Sequence, residues 1–511
     1  MTPEQFVVAV GIMSALAVAA LDGTVVSTAM PTIIGNLGGL SEYSWVFSAY
    51  LLASTVTVPL YARMADMYGR KPVFMFGLAL FVGGSMLCGF AGSMTMLILF
   101  RTIQGLGAGA VQPISFTILG DVFESEQRAR IQGLFSGVWG AAAVVGPAIG
   151  SIITTTVGWR WVFFVNAPVG LIAAVLIGRY LNERIQRHPH RLDLAGAGML
   201  TLSLVSLLFA ATEGGQLWGW TSPVTLGLVV GAVALLAAFA VFERRIAEPL
   251  IDLGLLKIPV IAPGLAIGGL SGVVMFSLST YVPPLVQGVM SGTALQAGVA
   301  VAAMSIGWPV GSIVGGRALL RFGARPTVLV GMAMLVAGTL VVTQATRPGT
   351  LEGGLAVAGL GEAITGLGMG LSSTTILVMV QASVPWQRRA VATGLVQFSR
   401  TIGGAVGVGL LGGIVTAAVG NSSAIVLDPI GRNFIPAAQL TAMRSALSGG
   451  LEWVFIIVAI DALVVAAVAL RFMPTVRIER RASGAAPSGA AGTEPAAAGA
   501  SAGSGADAGA G

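Results

Sequence analysis

Apolar residues run through this chain in long blocks separated by short polar segments. Marking blocks of roughly 18–28 residues, the length a helix needs to cross a bilayer, gives 14 of them. They lie at about 6–30, 43–62, 73–90, 94–120, 131–156, 161–181, 193–211, 224–242, 259–287, 295–319, 326–344, 353–381, 391–418 and 450–472. Gly, Ala and Leu fill most blocks, without sustained period-2 alternation. Backbone in lipid must be satisfied internally, so blocks of this length and texture read as transmembrane helices and not as barrel strands. The expected fold is an all-α polytopic membrane protein with 14 transmembrane helices. Composition agrees: with 55% hydrophobic and 9% charged residues, and a mean hydropathy of +0.89, no soluble globular class fits.

The polar connections set an orientation. With the N-terminus in the cytoplasm, the inner connections collect nearly all Lys and Arg, from Arg63, Arg70 and Lys71 to Arg471, Arg477, Arg480 and Arg481. The outer side holds only Arg160, Arg347, Arg432 and Arg444. That asymmetry follows the positive-inside rule and predicts two cytoplasmic termini in a multi-pass cell (plasma or inner) membrane protein. The net charge of +6 is then membrane anchoring, and no clustered basic face suggests a nucleic-acid partner. The first block is too long for a signal peptide and lacks a basic leader, so it is expected to be retained. Cys88 is the only cysteine and lies within an apolar block, where a small buried hydrophobe is the expected role.

Two inner connections repeat. Residues 62–72 read ARMADMYGRKP and residues 316–326 read GRALLRFGARP. Aligned without gaps, Arg63 falls on Arg317, Tyr68 on Phe322, Gly69 on Gly323, Lys71 on Arg325 and Pro72 on Pro326. Each copy joins the second and third spans of a six-span block, and repeated six-span halves are the pattern of secondary transporters. The predicted organisation is therefore an N-terminal six-helix bundle (1–190), an inserted pair of helices with its linker (191–257), and a C-terminal six-helix bundle (258–475). An Ala/Gly/Ser-rich cytoplasmic tail (476–511) follows, with too little apolar content to form a core. The longest outer loop is expected at about 419–449.

Five charges sit inside the blocks: Asp22, Arg101, Glu362, Arg400 and Asp461. An ionised group at membrane depth costs several kcal/mol, about 2.5–3.5 on insertion scales, so each is a functional candidate by default. At 1.5 Å per residue, Asp22 and Arg101 both lie roughly 10–14 Å below the outer boundary and can share a depth. Low dielectric favours a neutral carboxyl and a nearby cation favours the ionised one. A carboxylate poised between the two can take and release a proton; a static ion pair tying two helices is the bland alternative. Glu362, Arg400 and Asp461 each fall near the middle of their spans, with Arg400 a partner for one of the two acids.

In this setting LDGTVVSTAMP (21–31), RTIQGLGAGA (101–110), Gly137 followed by Gly146-Pro147 and Gly150, and WRWVFFVNAPVG (159–170) form an ordered set with the loop 62–71. The set resembles the major facilitator superfamily, specifically the 14-span drug:proton antiporters of the EmrB/QacA type, over residues 6–472. Ala62 replaces the first Gly of the family's loop motif, and Ser27 replaces the usual Asn of its first-helix motif. The resemblance places Asp22 in the family's acidic first-helix motif and implies a part in proton transfer for Arg101; Glu362, Arg400 and Asp461 join them as expected proton-coupling residues on their position in the spans alone. The resemblance also implies an inner-gate motif at Asp66, Gly69, Arg70 and Lys71, and an antiporter hinge at Gly137, Gly146, Pro147 and Gly150. In the second loop copy Leu320 stands at the place of Asp66, so a latch there lacks its acid.

Trp45, Tyr50, Trp139, Phe276, Tyr281, Trp308 and Phe398 are candidates for an aromatic substrate cavity, since aromatic faces attract flat lipophilic cations. Met275 and Met304 would add an adaptable wall. No phosphate-binding loop is present, so the expected energy source is the proton gradient and no cofactor is needed. His188 and His190, the only histidines, have no cysteine nearby, and no metal site is expected. Nothing suggests an enzyme. The expected function is proton-coupled multidrug efflux of lipophilic, cationic compounds by alternating access. Its partners are a small lipophilic substrate, protons and the lipid bilayer; a periplasmic adaptor is compatible, and a monomer is expected. The main alternative is the same fold exporting a lipid, a siderophore or an endogenous antibiotic. A non-transporting membrane sensor is a minor one.

Overall fold

Thr2, Ser93, Asp193, Ser222, Thr293 and Thr350 each end a polar connection by accepting a hydrogen bond from a backbone N–H of the helix that follows. Such caps satisfy amides that would otherwise be orphaned, and they locate helix starts at the edges of the apolar blocks. The computed structural model describes residues 2–123, 138, 141–142, 145–183, 193–214, 219, 221–246, 249, 253–347, 350–385, 389–419 and 435–474. Regular structure among these residues is entirely helical.

In chain order the helices are α1 (Pro3–Leu37), α2 (Tyr43–Tyr68), α3 (Arg70–Gly89), α4 (Met94–Val122), α5 (145–156) and α6 (Asn166–Tyr180, after the turn Trp161–Phe164). They continue with α7 (Leu194–Glu213), α8 (Pro223–Glu243), α9 (Ile261–Pro284), α10 (Ala294–Phe322), α11 (Ala324–Gln344), α12 (Leu351–Ala382), α13 (Arg389–Val419) and α14 (Ala437–Phe472). Among the described residues, 11 helices are long and apolar enough to cross a membrane. The remaining expected spans fall on α2, on α5, whose first part lies outside the described residues, and on α7, whose apolar stretch is the shorter Ala195–Ala211. One boundary differs from expectation. α14 begins at Ala437, so much of the expected outer loop is helix, and Ser448 there donates to the carbonyl of Thr346 at 3.2 Å.

Within the first part of the chain α4 packs on α2 and α3, and α6 on α1 and α3; in the last part α12 packs on α10 and α11, and α14 on α9 and α11. The inserted helices α7 and α8 pack on each other, with α7 also against α2 and α13. Small residues let these backbones approach closely. In α4, Gly105 backs onto Tyr50 and Gly109 onto Ser54, both in α2, while Gly107 backs onto Phe81 and Gly77 of α3. In α12, Gly366 backs onto Met304 and Gly370 onto Trp308, both in α10, while Gly368 backs onto Gly331 and Leu335 of α11. The pairs Tyr50/Met304, Ser54/Trp308, Gly77/Gly331 and Phe81/Leu335 keep the offset that relates Arg63 to Arg317. The loop repeat is thus the visible part of a repeated three-helix unit.

The turn of that unit needs glycine. Gly69 and Gly323 have φ of 100° and 87°, and each sends its N–H back 3.0 Å to the preceding helix, at Ala65 and Leu319 respectively. A side chain is strained in that backbone region.

Candidate functional site

Five helices converge on Asp22. It projects from α1 and accepts from Arg101 Nη1 of α4 at 2.6 Å, from Gln104 Nε2 of α4 at 2.7 Å and from Asn166 Nδ2 of α6 at 3.1 Å. Arg101 also donates to Gln104 Oε1 at 2.8 Å and reaches the carbonyl of Val46 on α2 at 3.5 Å. The Tyr50 ring lies under its guanidinium, 4.0 Å to the centroid. From α3, Ser85 accepts from Asn166 at 2.9 Å and donates to the Phe163 carbonyl at 2.8 Å. Asp22 and Arg101 are each 1% exposed. Removing one partner of such a pair strands a buried charge and typically costs about 3–5 kcal/mol. The shared depth expected from helical rise is therefore a direct contact. Gln104 and Asn166 lie within the motif segments and Ser85 outside them, and nothing in the sequence marks a neutral polar residue in an apolar block as part of such a site.

Among the described residues, no hydrogen bond or ion pair joins the three charges of the last helices. Arg400 turns to Gln397 and to the Trp308 ring, 5.3 Å to the centroid. Glu362 is 0% exposed, and neither carboxylate oxygen has a hydrogen-bond partner among the described residues. Asp461 is half-buried, with Oδ2 likewise without one. Among the described residues no ion pair joins Arg400 to either acid, so the expected pairing is not what this conformation holds.

At the start of α3 the loop motif acquires a partner that the sequence did not suggest. Glu183, just beyond α6, accepts from the backbone N–H groups of Arg70 at 2.7 Å and Lys71 at 3.0 Å. Its carboxylate caps the positive end of that helix. Lys71 Nζ donates to the Leu181 carbonyl at 2.9 Å. The second copy repeats the cation, and among the described residues no acid caps it: Arg325 donates to the Leu470 carbonyl, at the end of α14, at 2.8 Å. The side chain of Asp66 lies outside the described residues.

These features — two copies of one turn, a paired acid and arginine on the first and fourth helices, helix as the regular structure of the described residues — meet in one family. A model of the Major Facilitator Superfamily matches residues 12–408. The chain belongs to the major facilitator superfamily. It is 38% identical over 442 residues to the multidrug transporter protein MdtP of Bacillus subtilis (strain 168), covering 86% of this chain and 81% of that one. It is 33% identical over 500 residues to multidrug resistance protein 3 of the same organism (94% and 96%), and 31% identical over 467 residues to the puromycin resistance protein pur8 of Streptomyces alboniger (89% and 92%). Among solved structures, an auto-inhibited POT family peptide transporter shares the fold with a TM-score of 0.64 at 14% identity, covering 93% of this chain and 99% of that one.

As a member of the superfamily the chain is a membrane transporter and not an enzyme. The glycines expected to form a hinge pack closely: Gly146 backs onto Thr24, and Gly150 onto Thr28 and Val25 of α1, while Pro147 meets Gly298 of α10. Gly137 and Trp139 lie outside the described residues. The aromatic candidates scatter. Trp45 and Phe398 pack against a cluster of Leu52, Val56, Leu200, Leu204 and Phe239, which places them at the seam with α7 and α8. Phe276 packs against Gly404. Tyr281 is fully buried, donates to the Val408 carbonyl at 2.6 Å and stacks edge-on with Tyr43. Tyr50 and Trp308 each lie under an arginine.

Proposed function

We propose that this chain is a multidrug exporter that exchanges lipophilic, cationic compounds for protons, and that it belongs to the 14-span EmrB/QacA type. The observation that carries the reading is the enclosed Asp22–Arg101 pair with its Gln104 and Asn166 supports, a titratable group held at membrane depth. Relatives named for multidrug transport, similar over most of the chain, support the cargo class. The packing repeat of α2–α4 in α10–α12 supports two six-helix halves around the inserted pair α7–α8.

In this scheme both termini are cytoplasmic in the cell membrane. Asp22 and one of the C-terminal acids exchange protons for substrate. The 62–71 loop gates the inner side, with Glu183 holding the start of α3. Each charge crossing 100 mV supplies about 2.3 kcal/mol, which is the available drive.

The test is dye efflux from proteoliposomes under an imposed pH gradient, comparing wild type with Asp22→Asn. Wild type should pump against the dye gradient and the variant should lose gradient-driven pumping. Undiminished proton-driven efflux in the variant removes Asp22 from coupling. A second reading has one specific support, because two relatives are named for single antibiotics, puromycin and tetracenomycin C. A panel of dyes, quaternary ammoniums and antibiotics separates a dedicated exporter from a broad one.

A further inference from the structure

Arg101 has a counterpart in the second half of the chain. The glycine packing that sets Tyr50 against Met304 and Ser54 against Trp308 also aligns Arg101 to Gly109 with Glu362 to Gly370. Gly105, Gly107 and Gly109 fall on Gly366, Gly368 and Gly370, and Leu106 on Leu367. One more contact fixes the register: Gly84 of α3 backs onto Gln104, and Gly338 of α11, its repeat partner, backs onto Thr365. Glu362 therefore occupies the place of Arg101 with the opposite charge.

The surroundings differ as much as the sign. Arg101 meets Asp22 at 2.6 Å, while Glu362 meets no donor among the described residues. Of the helices packed on α12, α9 carries no charged residue, and its Tyr281 hydroxyl donates to Val408. The charges of α10 and α11 are Arg317, Arg321 and Arg325, all at the helix ends by the repeated loop. Arg400 of α13 is turned to Gln397 and Trp308, and the Arg389 side chain lies outside the described residues. On α12 itself, Glu352 stands in the first turn. An ionised carboxylate enclosed without a partner has its full charge uncompensated, whereas the protonated acid leaves only a hydrogen bond unmade.

We propose that Glu362 is a second proton site of the exporter, loaded in the conformation described here and emptied in another. The inference rests on the proton-coupled reading above and specifies which C-terminal acid serves it. In the step, the carboxyl O–H bond breaks, the proton passes to water on the open side and the carboxylate remains; loading from the opposite side reverses it. α12 meets α10 and α11 through glycine backbone, a contact suited to the small sliding of packed helices that would open Glu362 to water.

The test counts protons released when tetraphenylphosphonium, a lipophilic monocation, binds the purified protein in weakly buffered detergent solution. Gradient-driven dye efflux is measured in parallel in proteoliposomes. Glu362→Gln should release about half the protons of wild type per bound cation, and Glu362→Asp should restore the count. Equal release from wild type and Glu362→Gln overturns the inference while leaving antiport standing. Wild-type protein that releases none and ignores the imposed gradient overturns the antiport reading, and the inference with it. Should Glu362→Gln fail to fold, the double variant Asp22→Asn with Asp461→Asn retains Glu362: release from it supports the site, and its absence overturns it.

Discussion

Asp22 and Arg101 were visible as charges out of place, and helical rise alone put them at one depth. Their contact has an energetic consequence that separates structure from transport. Arg101→Leu strands Asp22 in the interior and should lower stability by about 3–5 kcal/mol, read as a large fall in melting temperature in detergent. Combining it with Asp22→Leu removes the stranded charge, and replacing a whole buried pair by apolar residues is often near neutral, so most of that stability should return. Transport should return in neither. Recovery of gradient-driven efflux in the double variant would make the pair a mere helix tie. Arg101→Lys is a subtler probe: a single ammonium cannot reproduce the guanidinium fork that serves Asp22, Gln104 and Val46 together. What the sequence could not offer at this scale was the neutral support. Ser85, Gln104 and Asn166 look like ordinary polar residues in helices, and only the meeting of α3, α4 and α6 makes Gln104 and Asn166 donors to one carboxylate, with Ser85 holding Asn166.

The start of α3 shows the same limit at the scale of an element. The repeated loop was legible because Gly69 and Gly323 must adopt positive φ and therefore recur at matching positions. The acid that completes the first copy was not, since Glu183 lies at the far end of α6 and its role depends on α6 lying against α3. Hydrogen bonds to a charged group contribute about 1.5–3 kcal/mol each, and tenfold in an equilibrium corresponds to about 1.4 kcal/mol. Glu183→Ala should then speed hydrogen exchange at the Arg70 and Lys71 amides by at least about tenfold. The amides of Ala324 and Arg325, which no acid caps among the described residues, provide the internal control and should not change. An equal rise in both copies would mean global loosening and not loss of a cap.

At the scale of the whole molecule, the described hydrogen bonds between the two halves gather toward one end. Tyr43 donates to the Thr280 carbonyl, Ser48 to the Ala405 carbonyl at 2.9 Å, and Gln287 to the Thr28 carbonyl at 3.3 Å. In the proposed orientation that end is the outer one. Composition and block length made the helical membrane fold legible, and the loop repeat suggested the halves. Which faces of the halves meet depends on close approaches such as Pro147 on Gly298, which no spacing rule anticipates. Alternating access requires this end to part. Cysteines at Ser48 and Ala405 would sit where α2 and α13 touch, and Cys88, the natural thiol, is buried in α3 out of competition. Oxidation of the Ser48→Cys, Ala405→Cys protein should abolish gradient-driven efflux, and reduction should restore it. The oxidised protein should still bind cations, because the closed end leaves the opposite side free to open. Full efflux from a protein shown by mass to be crosslinked would mean that substrate leaves by a route these contacts do not control.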